Sequence, residues 1–82
     1  MNKILVTVYV LSLDESYDVL IPINLKMAEV YDLIQNTISE LSSNNYIKHD
    51  DAYLLNKDGK VINSNNMVRL SGLTNGCRVI LI

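Results

Sequence analysis

Tyr17-Asp18-Val19-Leu20-Ile21-Pro22-Ile23-Asn24-Leu25-Lys26-Met27-Ala28-Glu29-Val30-Tyr31-Asp32-Leu33-Ile34-Gln35-Asn36-Thr37-Ile38-Ser39-Glu40-Leu41 changes its period partway along. Up to Ile23 it alternates, with Tyr17, Val19, Ile21 and Ile23 on one side and Asp18, Leu20 and Pro22 on the other. That is the two-residue period of a strand. From Met27 the stripe becomes Met27, Val30, Leu33, Ile34, Thr37, Ile38 and Leu41. Steps of three and four place these side chains on one face of an amphipathic helix of about 15–18 residues. Lys26, Glu29, Asp32, Gln35, Asn36, Ser39 and Glu40 fall on the opposite face. Ser42-Ser43-Asn44-Asn45 should end the helix, because these side chains compete for the backbone.

Before this stretch, residues 3–11 alternate as well. Ile4, Val6, Val8 and Val10 form an aliphatic face, while Leu5, Thr7, Tyr9 and Leu11 form a mixed one. With Asp14-Glu15-Ser16 as a polar turn, the two alternating runs read as a hairpin. Pro22 lacks an N–H and belongs at a sheet edge or a strand end. After the helix, Tyr53-Leu54-Leu55 is a short strand, Asp58-Gly59 a tight turn and Val61-Ile62 a short return. Val68 to Leu73 reads as a turn or 3₁₀ segment, and Asn75-Gly76 turns into a last strand, Cys77 to Ile82.

The order is β-β-α-β-β-β. One helix with one apolar stripe buries it across a single sheet. The expected fold class is therefore α+β, a β-grasp or ubiquitin-like arrangement. Its one helix packs across a mixed sheet, and its last strand lies centrally beside the first. Eighty-two residues make a single domain over 1–82.

Three segments carry a family resemblance: Tyr17-Asp18-Val19-Leu20-Ile21-Pro22, Leu54-Leu55-Asn56-Lys57-Asp58, and Val68 with Leu73-Thr74-Asn75-Gly76-Cys77-Arg78-Val79-Ile80-Leu81. Through them the chain resembles ubiquitin-like proteins and, within those, the YukD/EsaB family of bacterial type VII secretion systems. Cys77 departs from the acidic residue that this family often has after the turn glycine. The resemblance implies an accessory, non-conjugated adaptor docking on membrane-embedded secretion machinery, either an ATPase or a multi-spanning subunit. Conjugated and sulfur-carrier relatives need a mobile Gly-Gly tail, whereas Gly59, Gly72 and Gly76 are internal.

Charge and cysteine content narrow the classes. Seven Lys and Arg are outnumbered by nine Asp and Glu, and the cations are scattered. Nucleic acid and a polybasic membrane anchor are disfavoured as partners. Direct membrane insertion is not expected, since the first apolar run is too short to span a bilayer. Thr7 and the absence of a small-residue cleavage site argue against a signal peptide. The single cysteine forms no internal disulfide, which fits a reducing cytosol. The many Asn and Ile residues suit AT-rich codons and a low-GC bacterial source.

Nothing in the residues points to a reaction, so no enzyme, cofactor or metal is expected. Cys77 precedes Arg78, but neighbours on a strand face opposite ways, and Cys77 reads as structural. His49-Asp50-Asp51 offers ligating atoms without a second His or a Cys and reads as a solvated loop. Glu29, Asp32 and Glu40 read as solubilising charge on the helix.

The outer sheet face carries the functional expectation. If the aliphatic set of the first strand packs on the helix, Leu5, Tyr9 and Leu11 face outward. Ile80 and Ile82 do likewise on the last strand, and Leu54 joins them. Leu5, Tyr9, Leu54, Ile80 and Ile82 are the expected partner-binding residues. Such a patch marks an interface with a partner or a weak homodimer contact. Folded-over loops, or a strand shifted by one residue, would remove it. The rival readings are a ubiquitin-like module with an unrelated cytosolic partner, a sulfur carrier, and a nucleic-acid-binding β-grasp domain.

Overall fold

The computed structural model describes residues 2–82. Met1, part of the expected domain, lies outside the described residues. Strand β1 (Lys3–Val10) pairs antiparallel with β2 (Glu15–Pro22) and parallel with β4 (Cys77–Leu81). Strand β3 (Leu54–Leu55) pairs antiparallel with β4. The sheet order is β2-β1-β4-β3, so the last strand is central and next to the first, as the sequence predicts. This is the β-grasp arrangement, with one helix, α1 (Met27–Leu41), packed on the sheet.

The core is built by the two periods. Ile4, Val6, Val8 and Val10 of β1, Val19 and Ile21 of β2, and Val79 and Leu81 of β4 are buried on the helix side. Met27, Val30, Ile34 and Ile38 meet them from α1 and are fully enclosed. Each such side chain contributes about 1.5–3 kcal/mol on burial. The first free N–H groups of the helix are satisfied from a distant loop. Met27 donates to the Asn66 carbonyl at 2.7 Å and Ala28 to that of Ser64 at 2.9 Å. At the other end Asn44, with φ of 65°, donates to the Ser39 carbonyl at 2.8 Å and closes the helix.

Four expectations are corrected. The hairpin turn lies at residues 11–14, and Glu15 and Ser16 already pair with Val10 and Tyr9, because Asp14 supplies the positive φ of 51° that lets the chain reverse early. The return strand at Val61-Ile62 shrinks to one bridge between Leu55 and Val61. The Ile62 carbonyl accepts from the Tyr31 hydroxyl at 2.7 Å, and the following residues leave the sheet to cap the helix. Gln35, assigned to the polar face, is buried at 3% exposure, whereas Leu41, assigned to the stripe, is 56% exposed. Gln35 is drawn in because its Oε1 accepts from the Tyr46 hydroxyl at 2.8 Å and the His49 N–H at 3.0 Å, tying the segment after the helix against it. Leu54 is the fourth correction and alters the site.

Candidate docking face

The register fixes which side chains share the outer face. Along β1 these are Leu5, Thr7 and Tyr9, since their neighbours are buried against the helix. Asp18 lies opposite Thr7, and Leu20 opposite Leu5. Across the parallel pair, Arg78 partners Thr7 and Ile80 partners Tyr9. On the far side Leu55 pairs with Ile80, and Leu54 pairs with Leu81.

That last pairing places Leu54 inside. Leu81 belongs to the core, so its partner does too, and Leu54 is 0% exposed. The expectation that Leu54 lines the docking face fails by one residue: successive strand side chains alternate between faces. Leu55 and Tyr53 take its place. Tyr53 and Ile82 bond to one another through their backbones, and at 49% and 41% exposure both present side chains to solvent. Tyr9, Leu55, Ile80, Ile82 and Tyr53 form one apolar group, and Leu11 stands exposed just beyond β1.

Leu5 belongs to a second, smaller group with Leu20. Between the two runs a polar row. The Thr7 hydroxyl donates to Asp18 Oδ1 at 2.8 Å, and Arg78 stands beside Thr7. Sequence reasoning therefore joined Leu5, Tyr9, Ile80 and Ile82 on the correct face but missed the row that divides them. The alternation Thr7–Tyr9 and Arg78–Ile80 carried that signal.

Tyr9 is held in place. Its hydroxyl donates to Asp14 Oδ1 in the β1–β2 turn. That hydrogen bond to a carboxylate keeps the phenol above its ordinary value of 10.0. Thr7, Tyr9, Asn56, Lys57, Arg78 and Ile80 line a shallow hollow, so two cations border the apolar group. Among the described residues neither Lys57 nor Arg78 has a carboxylate within salt-bridge distance.

The remaining candidates sit elsewhere. Cys77 is half-buried on the helix side of β4, opposite in facing to Arg78. His49 Nδ1 is 2.7 Å from Asp51 Oδ1, and this hydrogen bond holds the Asp51 carboxyl below its ordinary value. Among the described residues no three His, Cys, Asp or Glu side chains converge on one point. No helix among them is long and apolar enough to cross a membrane.

No protein-family model matches the sequence, and no curated protein sequence matches it. Solved structures do match, and they define the class: this is the ubiquitin-like fold. The structure described as molecular mimicry of SUMO that promotes DNA repair superposes with a TM-score of 0.76 at 20% identity, over 100% of this chain and 92% of that one. The EccD5 ubiquitin-like domain from Mycobacterium xenopi gives 0.72 at 13% identity, over 100% and 94%. A chain of the MycP5-free ESX-5 inner membrane complex gives 0.72 at 13% identity. There this chain is covered in full and spans 21% of the larger one. At such identities the likeness is one of fold.

Proposed function

We propose that this chain is a non-conjugated, cytoplasmic ubiquitin-like adaptor of a type VII secretion system, acting by docking and not by catalysis. The observation that carries the docking role is the solvent-facing group Tyr9, Leu55, Ile80, Ile82 and Tyr53 on contiguous strands. Grouped exposed apolar side chains bordered by charge suit a protein partner. The partner chemistry follows from the border: Lys57 and Arg78 call for carboxylates flanking an apolar segment. The secretion role is supported by the sequence resemblance to YukD/EsaB proteins and by the fold shared with a domain of an inner membrane complex. The partner under this reading is a membrane-embedded ATPase or multi-spanning subunit.

The test is capture of the tagged protein from gently solubilised cells, beside a Tyr9→Ser, Ile80→Asp variant shown to be folded by circular dichroism. Recovery of secretion subunits by the parent and their loss with the variant is the expected result. Equal recovery by both removes the docking face from the reading. A second reading, a ubiquitin-like module serving an unrelated assembly, is favoured by the superposition on the SUMO mimic, whose TM-score of 0.76 exceeds the 0.72 of the secretion-complex chain. It predicts capture of soluble proteins through the same residues.

A further inference from the structure

Of the ten asparagines only Asn75 is followed by glycine, and this pair forms the turn into β4. Cys77 N–H closes the turn by donating to the Thr74 carbonyl at 3.0 Å. Gly76 has a φ of 85°, and apart from its chain neighbours no atom lies within 4 Å of where its Cβ would sit. One residue of β1 holds both members of the pair. The Leu5 carbonyl accepts from the Gly76 N–H at 2.7 Å, and the Leu5 N–H donates to Asn75 Oδ1 at 2.8 Å. The side-chain amide thus does what a strand carbonyl would do, and carries the β1–β4 ladder beyond Val6↔Cys77.

Asparagine followed by glycine carries its own reaction. The next backbone nitrogen attacks the side-chain carbonyl carbon, and glycine hinders the approach least because it has no side chain. The Gly76 N–H gives its proton to water or hydroxide, and the nitrogen electron pair forms a bond to Asn75 Cγ. The bond from Cγ to the side-chain amide nitrogen breaks, and that nitrogen takes a proton and leaves as ammonia. The product is a cyclic succinimide, which water opens. Addition at Cγ leaves aspartate, whereas addition at the main-chain carbonyl carbon leaves isoaspartate, with the main chain running through Cγ. In the folded chain Leu5 engages both reacting groups. To react, the Gly76 N–H must leave the Leu5 carbonyl, and the Asn75 side chain must leave the Leu5 N–H to bring Cγ over the nitrogen. Each movement breaks a hydrogen bond to β1.

We propose that Asn75 is a self-modification site, deamidated through the Gly76 nitrogen, and that the paired hydrogen bonds to Leu5 restrict the reaction to molecules in which this end of β4 has parted from β1. The opening need not unfold the domain, because strand ends part locally at a lower cost than the whole fold. The two products differ in consequence. Aspartate keeps an oxygen for the Leu5 N–H and adds a negative charge, so that chain closes again. Isoaspartate inserts Cγ into the main chain, so Gly76 and the acceptor at residue 75 no longer match the spacing of the Leu5 N–H and carbonyl. The start of β4 then stays open, and the loss of ammonia makes the change one-way. The inference rests on Leu5, Asn75 and Gly76 and is independent of the proposed docking role.

The test follows the full chain at mildly alkaline pH by ion exchange, which separates the added charge, and by peptide mass mapping, which locates it. A capped peptide of residues 71–80 gives the rate without the clamp. In the folded chain Asn75 should react more slowly than in the peptide by about tenfold or more. In the urea-unfolded chain it should be the first asparagine to react. Proton exchange at the Gly76 amide reports the same opening, so across low urea concentrations deamidation and Gly76 exchange should accelerate by the same factor. Leu5→Pro deletes the N–H that holds Oδ1, and should speed deamidation by about fivefold. Asn75→Asp should keep the parent urea midpoint and Asn75→Leu should lower it, which reads the acceptor role should Leu5→Pro not fold. Any of four results overturns the proposal: reaction in the folded chain as fast as in the peptide, a deamidation rate that stays flat while Gly76 exchange accelerates, a first modification of the unfolded chain at another asparagine, or a folded Leu5→Pro variant that deamidates no faster.

Discussion

Tyr53 and Ile82 exchange two backbone hydrogen bonds, 3.0 and 2.9 Å long, and carry the β3–β4 ladder one residue beyond the pairing of Leu54 with Leu81. This pair fixes the phase of the whole short strand: Tyr53 and Leu55 outward, Leu54 inward. Alanine at Leu54 should therefore cost about 2–5 kcal/mol, a large share of what a domain this size possesses. Serine at Leu55 should cost less than about 1 kcal/mol. Urea denaturation of the two variants checks the phase; similar midpoints would place both leucines on the same footing and refute it.

The polar row of Thr7, Asp18 and Arg78 separates two apolar groups, so their energetic weights in docking should differ. Tyr53→Ser with Ile82→Asp is expected to reduce partner capture as strongly as the Tyr9, Ile80 double change. Leu5→Ser should leave most of it. Binding isotherms against the captured partner measure the contrast, and a dominant effect at Leu5 would relocate the interface.

Gln35 is the buried polar anchor between the helix and the segment that follows it. Its Oε1 serves both the Tyr46 hydroxyl and the His49 N–H. Gln35→Ala should cost about 1–3 kcal/mol, because two donors lose their acceptor in a part-buried setting. Faster hydrogen exchange at His49 in the variant would accompany the lower midpoint. Unchanged exchange would show that the segment is held by other contacts.

The hydrogen bond from His49 lowers the Asp51 carboxyl from its ordinary 3.8, so the folded chain favours the ionised form more than the unfolded chain does. This contribution is full above 3.8 and is lost as pH falls through the lower folded value. Asp51 is solvent-exposed, so the effect is small. Asp51→Asn should flatten the acid limb of the stability profile and leave neutral pH nearly unaffected. Carboxyl carbon titration of the parent chain gives the folded value directly, and one above 3.8 would reverse the sign.

Much of this architecture was readable from the residues because the period is explicit where elements are long. Val6, Val8 and Val10 allow one facing only, and Met27, Val30, Ile34 and Ile38 trace the helix without ambiguity. Two-residue strands carry no period. Tyr53-Leu54-Leu55 is apolar at every position, so only its partners could say which side chain turns inward. Gln35 was misread for a related reason: its burial depends on Tyr46 and His49, which approach it only after the chain has reversed. The candidate docking face inherits both effects. Its β1 and β4 members were legible, and its β3 members were not.

The last element in chain order, β4, is one of the two inner strands of the sheet, and the turn that leads into it is tied to the first strand by a hydrogen bond between residues 70 apart. Residues as far as Leu81 must therefore be synthesised before the sheet can close. Until Cys77–Leu81 emerges, the nascent hairpin shows a bare row of backbone groups along β1, with nothing to pair against it. Closing so long a loop carries an entropic cost that local contacts do not offset, and high contact order slows folding. A hairpin and helix that lack this second inner strand expose an unpaired edge, the kind of surface on which a chaperone or an aggregating neighbour acts.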